Sequence, residues 1–180
     1  SNDATPGTDC DDTVAKIFPG AAELDSALAC MKDGDSDGYG DSNPTGAVIA
    51  GSDCDDTNAS MNQNDDDADG YSSCDNDCND TDPLTYPGIA SYDSSTICMT
   101  DIDGDGYGSI SPSFGATPGN DCDDSDALTY LGSAERDSLF LCMTDADGDG
   151  YGVSSPLTGV IAGTDCNDTD PILNPADDDV

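Results

Sequence analysis

Four loops of the sequence place acidic residues at one fixed spacing. Each loop has Asp at its first, third and fifth positions, Gly at its sixth and Tyr at its seventh. These carboxylates and the backbone carbonyl of the seventh residue can surround one cation, and the Gly allows the sharp turn that this requires. The sequence therefore predicts a cation site in each loop. The predicted ligands are Asp33, Asp35, Asp37 and Tyr39; Asp65, Asp67, Asp69 and Tyr71; Asp101, Asp103, Asp105 and Tyr107; and Asp145, Asp147, Asp149 and Tyr151.

The loops follow the ligand order of an EF-hand calcium loop but lack its acidic residue at the twelfth position. The residues found there are Pro44, Asn76, Pro112 and Pro156. Another carboxylate must complete each site, and an Asp-Cys-[Asp/Asn]-Asp motif begins 20 residues after the start of three loops. Because the donors are all oxygen, calcium is favoured over zinc or copper, and we expect several calcium ions per chain. The additional predicted ligands are Asp41, Asp53, Asp55, Asp56, Asp77, Asp121, Asp123, Asp124, Asp165 and Asp168.

The nine cysteines reveal an internal repeat that must position these loops. They lie at positions 10, 30, 54, 74, 78, 98, 122, 142 and 166, so that every gap but one is 20 or 24 residues. A fixed period of this kind defines structural modules. It predicts three full modules, 10–53, 78–121 and 122–165, and a short module, 54–77. Residues 1–9 form an N-terminal segment, and 166–180 form a partial C-terminal module.

Little regular secondary structure is expected within a module. A turn containing Gly precedes a short apolar segment that ends in Cys-Met, and Asp- and Gly-rich loops follow. Leu24, Leu28 and Met31 have helical spacing, whereas residues 139–143 favour a short strand, so helix and strand are both open. An apolar fraction of 34% without Trp is too low for a large core. The predicted fold is a mostly irregular, calcium- and disulfide-stabilised tandem-repeat protein with short β-strands, room for one-turn helices and no large hydrophobic core.

Charge and composition exclude several classes of function. The chain has 40 acidic and three basic residues, a net charge of −37, which excludes nucleic acid as a direct partner. It has no His, and no nucleophile lies beside a base in any known motif, so we expect no enzymatic activity. No apolar run is long enough for direct membrane insertion. The cysteines indicate an oxidising compartment, so we expect an extracellular or cell-surface protein in a mature form without a signal peptide.

Two parts of the sequence resemble known metal-binding repeats. The segment from Asp9 to Glu23, with the Asp-x-Asp-Gly-Asp-Gly-Tyr-Gly loops, resembles the metal-binding repeat of bacterial surface and secreted proteins related to a copper-binding protein of methanotrophs. The His and modified Trp implied for that copper site have no counterpart here. The short module is similar to thrombospondin type-3 repeats, and this resemblance implies calcium ions wrapped by chain with little secondary structure.

The type-3 resemblance also implies a disulfide pairing across the gaps of 20 residues. The implied pairs are Cys10–Cys30, Cys54–Cys74, Cys78–Cys98 and Cys122–Cys142. A pairing across the acidic loops is the alternative: Cys30–Cys54, Cys74–Cys78, Cys98–Cys122 and Cys142–Cys166. Either pairing leaves one cysteine over, Cys166 in the first and Cys10 in the second.

The two ends of the chain lead to a hypothesis about its assembly. Residues 166–180 and 1–9 together have the 24-residue length of the short module, which would be completed if the tail of one copy met the head of another. Asp177, Asp179 and Asp3 would then share a cation. The hypothesis is an extracellular structural filament of copies joined head to tail. The alternatives are a calcium-binding stalk, spacer or adhesion module of a larger surface protein, and a soluble metal buffer.

Overall fold

The computed structural model describes residues 10–176 except 12, 47 and 114. These residues form six strands of three residues each and one short turn of 3₁₀ helix, with no α-helix among them. The strands are β1 (Ile17–Pro19), β2 (Cys30–Lys32), β3 (Thr85–Pro87), β4 (Cys98–Thr100), β5 (Thr129–Leu131) and β6 (Cys142–Thr144), and the 3₁₀ turn is Ser73–Asp75. The fold is mostly irregular, as the sequence predicts.

Each full module contains one antiparallel strand pair: β1 with β2, β3 with β4, or β5 with β6. The first strand lies just before the Gly-containing turn, and the second includes Cys-Met. The register places an aromatic residue opposite each of these methionines: Phe18 with Met31, Tyr86 with Met99 and Tyr130 with Met143. The short module has no strand pair and contains the 3₁₀ turn instead.

The helical spacing of Leu24, Leu28 and Met31 does not produce a helix. Leu24 and Leu28 are 60% and 87% exposed, and only Met31 is buried. The hydroxyl of Ser26 accepts the backbone N–H of Ala29 at 3.1 Å, which holds this segment in a local turn. The strand expected at 139–143 begins only at Cys142, because the preceding apolar residues are exposed and outside the ladder.

Each strand pair carries a very small core. In the second full module Ala90 is fully buried and Met99 is 5% exposed. Gly108, the second Gly of Gly-Tyr-Gly, packs so closely that an added Cβ would lie 3.2 Å from the Cβ atoms of both residues. The corresponding glycines of the other full modules meet the same Ala and Met neighbours. A side chain at this position would therefore separate the acidic loop from the strand pair that supports it.

The disulfides join the Asp-Cys motifs to the segments before the loops in the full modules and to the segment after the loop in the short module. Cys10–Cys30, Cys54–Cys74 and Cys122–Cys142 each span 20 residues, and Cys78 and Cys98 are disulfide-bonded as well. This is the pairing implied by the type-3 resemblance, and the alternative pairing across the loops is wrong. Among the described residues Cys166 is free and exposed. Each disulfide should contribute roughly 3 kcal/mol by restricting the unfolded chain.

The chain divides into two compact units, one ending at Thr81 and the other beginning at Asp82. The division falls just inside the module predicted for 78–121. Each unit contains two of the four acidic loops and the Asp-Cys motif that follows each loop. No helix within the described residues has the length and apolar character needed to cross a membrane.

Candidate metal centre

Each acidic loop is wound around its own first carboxylate. In the second full module, Asp101 accepts the backbone N–H of Gly104 at 2.7 Å with Oδ1 and that of Gly106 at 3.0 Å with Oδ2. Asp33, Asp65 and Asp145 accept the same two N–H groups of their own loops. The fourth residue has a positive φ in every loop, including Ser36 (73°) and Ala68 (68°). The hydrogen bonds to the first carboxylate compensate for this conformation, which residues other than Gly rarely adopt.

The third and fifth carboxylates each use one oxygen to shape the loop. Asp103 Oδ1 accepts the N–H of Asp105 at 3.1 Å, and Asp105 Oδ1 accepts the N–H of Tyr107 at 2.7 Å. The other three loops repeat both hydrogen bonds. Because Oδ1 is fixed in this way, the orientation of the second oxygen, Oδ2, is also fixed.

A fourth carboxylate joins each loop from the Asp-Cys motif. Asp121 pairs in a parallel bridge with Ser109, and its N–H donates to Gly108 O at 2.7 Å. Asp53 and Asp165 are held by equivalent bridges. In the short module Asp77 follows the loop start by only 12 residues, and its N–H donates to Ser72 O at 3.1 Å. Ser72 occupies the place of Gly108, so a shorter connection delivers an Asp to the same position.

These carboxylates define four sites, which are numbered in chain order. The loop oxygens of sites 1 to 3 lie within 4.8 Å of one another. Site 1 is Asp33, Asp35, Asp37 and Asp53; site 2 is Asp65, Asp67, Asp69 and Asp77; site 3 is Asp101, Asp103, Asp105 and Asp121; and site 4 is Asp145, Asp147, Asp149 and Asp165.

Each site contains carboxylate oxygens that are buried without a hydrogen-bond partner. In sites 1 to 3 they are Oδ2 of the third and fifth loop residues and Oδ2 of the Asp from the Asp-Cys motif. In site 4 they are Oδ2 of Asp147 and Asp165. Asp53, Asp121 and Asp165 are at most 1% exposed. Desolvated anionic oxygens without a donor are strongly unfavourable, and grouping several increases the penalty, so a bound cation is the simplest compensation.

The same crowding changes the acidity of these groups in the metal-free protein. Burial raises the pKa of Asp121 to about 7, and repulsion from Asp105 and Asp103 adds to the effect. Burial likewise raises the pKa values of Asp53, Asp77 and Asp105 to about 6, with neighbouring carboxylates contributing in each case. Without a cation, these groups take up protons near neutral pH.

A lower pH should change the melting temperature in opposite directions in the metal-free and the calcium-bound protein. In metal-free buffer, lowering the pH from about 7 to about 5 should raise the melting temperature, because carboxyls whose folded pKa exceeds 3.8 bind protons preferentially in the folded state. With saturating calcium the same change should lower it, because protons compete with the ion. Thermal melts at both pH values provide the measurement. Destabilisation by acid in the metal-free protein would contradict this account of the carboxylates.

Other predicted ligands shape the surroundings of the sites. The last Asp of the motif accepts the N–H of the second loop residue, as Asp124 does from Ile102 at 2.9 Å and Asp168 from Ala146 at 3.0 Å. Asp56 does the same for Gly34 at 2.5 Å. These bonds fix the start of each loop, and none of the three carboxylates has a buried oxygen without a partner.

Asp55 and Asp123 cap turns within their own motifs. Asp123 Oδ1 accepts the hydroxyl of Ser125 at 2.7 Å, and Asp55 Oδ1 accepts that of Thr57 at 2.6 Å. Asn167 receives the hydroxyl of Thr169 at 2.9 Å in the same way, so this position does not require a charge.

Asp41, the loop tyrosines and the terminal carboxylates complete the predicted set. Asp41 accepts an ammonium hydrogen of Lys32 at 3.1 Å. The N–H groups of Tyr39, Tyr71, Tyr107 and Tyr151 bind the fifth carboxylates of their loops. The ring of Tyr107 stacks on that of Tyr130 with centroids 4.3 Å apart. Asp3, Asp177 and Asp179 lie outside the described residues.

The structure adds one set of acidic residues to those predicted from the sequence. Asp93 Oδ2 accepts the N–H of Gly108 at 2.9 Å and that of Asn120 at 2.8 Å. Asp25 and Asp137 make the same two bonds in their modules. Each ties the end of the loop to the residue before the distant Asp of the site. An Asp-Ser pair recurs eight residues before each of these loops and could have revealed them.

Replacing this tie should destabilise its module. Asp137 also accepts the hydroxyl of Thr164 at 2.5 Å. Although burial raises its pKa, the bonds from Thr164 and Gly152 outweigh that effect and lower the pKa. Asp137→Asn should reduce the free energy of unfolding by about 1.5 to 3 kcal/mol, the usual value for hydrogen bonds to a charged group. Denaturant unfolding measures this, with Asp170→Asn as a control in a local turn. Equal effects of both substitutions would contradict the proposed tie.

The comparisons with known proteins agree with this geometry. The sequence model of a family named for copper binding in MopE, and described as a putative metal-binding motif, matches residues 9–25, 53–68, 77–105, 121–137 and 165–180. Every matched segment begins at the Asp of an Asp-Cys pair, and together they cover more than half of the chain. No curated protein and no solved structure is detectably similar to it. The chain therefore belongs to this family of metal-binding repeats and is a metal-binding protein.

Proposed function

We propose that the protein is an extracellular calcium-binding structural protein without enzymatic activity. One observation carries the proposal: the four sites contain eleven buried carboxylate oxygens, each without a hydrogen-bond partner. Calcium takes six to eight oxygen ligands in flexible geometries, so carboxylates, a loop carbonyl and water suit it. Magnesium demands a stricter octahedral arrangement and releases its water reluctantly.

Copper, which the family name mentions, does not fit the donors of these sites. The chain has no His, and eight of its nine cysteines are disulfide-bonded. The methionines of the strand pairs, Met31, Met99 and Met143, are buried in the small cores. Copper prefers imidazole, thiolate or thioether ligands, whereas these sites offer carboxylates.

Calorimetric titration of the metal-free chain tests the choice of ion. We expect calcium to bind with dissociation constants of about 10⁻⁴ to 10⁻³ M, as in other extracellular modules. Magnesium should bind more weakly than calcium. Copper should bind at most weakly to these carboxylates, and loading the chain with calcium first should block that binding. Copper binding that is tighter than calcium binding and unaffected by calcium would refute the proposal.

A structural role is favoured over a soluble metal buffer by the way the sites are built. Each site joins a loop to a distant motif, and in sites 1, 3 and 4 the loop directly follows the strand pair of its module. Ion binding should therefore order the module. A buffer would bind many ions at nearly equivalent sites with little structural change, so circular dichroism during the titration separates the two roles. The disulfides support a secreted or periplasmic location, and the extracellular assignment is part of the proposal.

Head-to-tail assembly of copies stays a prediction from the sequence, since Asp3, Asp177 and Asp179 lie outside the described residues. The competing roles of stalk, spacer or adhesion module in a larger surface protein also stay open to test. Sedimentation in millimolar calcium and in chelator should show calcium-dependent polymers, and removal of residues 177–180 should abolish them. A monomeric full chain in calcium would favour the stalk or spacer role.

A further inference from the structure

We propose that the four sites fill in two stages, sites 2 and 3 before sites 1 and 4. The inference rests on the proposed calcium function and adds an order to it. Two side-chain nitrogen donors are its basis. One donates to a carboxylate oxygen of site 4, and the other contacts a carboxylate beside site 1. Sites 1 to 3 each retain three buried, unpartnered carboxylate oxygens, and site 4 retains two.

In site 4 the competing donor is the side-chain amide of Asn174. Its Nδ2 lies 2.6 Å from Oδ2 of Asp149, and both residues are at least nine-tenths buried. Asp37, Asp69 and Asp105 occupy the place of Asp149 in the other loops, and their Oδ2 atoms have no partner. Only in site 4, therefore, does this ligand oxygen already accept a hydrogen bond from a side chain of the protein.

Neighbouring backbone groups fix which end of the Asn174 amide faces the site. Nδ2 also donates to Pro171 O at 3.1 Å, and Oδ1 accepts the N–H of Ala176 at 3.0 Å. A reversed amide would place oxygen against the Pro171 carbonyl and N–H₂ against the Ala176 N–H. Asn174 therefore presents hydrogen to Asp149 and competes with a cation, and it does not act as an oxygen ligand.

Beside site 1 the competing donor is the ammonium group of Lys32 at the end of β2. It contacts the carboxylate of Asp56 and lies 3.1 Å from Asp41 Oδ2. Asp56 is close enough to Asp35 and Asp53 to repel both electrostatically. The positive charge is thus held at the edge of site 1, where it opposes the approach of a divalent cation.

The other strand pairs show that this lysine is a local exception. Thr100 and Thr144 take its place at the ends of β4 and β6. Their hydroxyls pair with those of Thr85 at 2.9 Å and Thr129 at 2.6 Å, so they bring no charge to sites 3 and 4. Both ion pairs of the described residues involve Lys32.

Calcium titration of the full chain and two variants tests the staging. We expect two ions to bind about three to ten times more tightly than the other two, since partly exposed charges and single hydrogen bonds have effects of this order. Lys32→Thr should move one ion from the weak class to the tight class, and Asn174→Ala should move the other. The double variant should bind four calcium ions in a single class of affinity.

Matched controls separate competition from general loss of structure. Asn62 of the short module corresponds in position to Asn174, but its amide donates to Ala59 O at 3.2 Å. Asn62→Ala should therefore leave the titration unchanged. In an Asp147→Ala background, which disables site 4, Asn174→Ala should have no effect on affinity. The reciprocal Thr100→Lys should move one ion from the tight class to the weak class, whether or not the Asn174 variant folds.

The outcomes distinguish the staging from the function on which it rests. Four calcium ions of equal affinity in the wild type, or variants that leave the two classes unchanged, would overturn the staging and leave calcium binding intact. Absence of calcium binding in every variant would refute the proposed function itself.

Discussion

Removal of calcium should strongly destabilise the folded protein. The chain carries a net charge of −37, and the buried apolar residues of its described part are Ile17 and a few alanines and methionines. A ligand at one hundred times its dissociation constant adds about 2.7 kcal/mol per site. Four sites would add about 11 kcal/mol, which is comparable to the whole stability of an ordinary domain.

Thermal unfolding with calcium and with chelator measures this effect. We expect a cooperative transition in calcium and, in chelator, a transition lowered by on the order of 20 °C or lost altogether. Magnesium at the same concentration controls for simple screening of charge. The same melting temperature and the same circular dichroism spectrum in calcium and chelator would show that the disulfides alone maintain the fold.

Asp103→Ala and Asp147→Ala should each remove about one bound ion. Each substitution deletes a carboxylate whose Oδ2 is buried and unpartnered in its site, so the remaining ligands are too few to retain calcium at millimolar concentration. The structural effect should stay mainly within the affected module, because repeat proteins are stabilised by contacts between neighbours. Ion counting combined with hydrogen exchange measures both effects.

Asp123→Asn is the matched control for these substitutions. Asp123 lies in the Asp-Cys motif of site 3 but caps a turn through Ser125, and Asn79 and Asn167 serve at the same position in two other modules. It should leave the ion count unchanged. If one Ala substitution released every ion, or the control released as many as Asp103→Ala, the account of separate sites would be incorrect.

The acidic loops could be predicted from the sequence because their ligands are local. Asp103 and Asp105 lie within five residues of the loop start, and the loop conformation follows from Asp and Gly at fixed positions. The 20-residue interval from Asp101 to Asp121 also placed the distant carboxylate correctly beside its loop, as the parallel bridge with Ser109 shows. Whether these residues bind calcium stays a prediction.

Features that depend on tertiary packing were harder to predict. The spacing of Leu24 and Leu28 favours a helix, but no core exists for that face to cover, and Ser26 forms a local turn instead. The role of Asp93 depends on two backbone N–H groups, one of them 27 residues away in the sequence. Only the recurrence of an Asp-Ser pair eight residues before three of the loops distinguishes such a residue from the many other aspartates of the chain.

Positions within one motif also differ in ways that composition does not reveal. Asp121, Asp123 and Asp124 are nearly consecutive, yet only Asp121 has a buried oxygen without a partner. Asp123 turns toward Ser125, and Asp124 turns toward the N–H of Ile102. These hydrogen bonds leave Asp121 as the carboxylate of this motif that enters the site.

The most direct test is to count the ions bound per chain. The full chain, freed of metal, is dialysed to equilibrium against about 10 mM calcium, above the dissociation constants of extracellular modules, with micromolar copper present, and both metals are measured by emission spectroscopy. The four sites predict four calcium ions and no stoichiometric copper. Fewer than one calcium ion per chain, or copper bound in whole numbers in its place, would contradict calcium as the ion that these carboxylates hold.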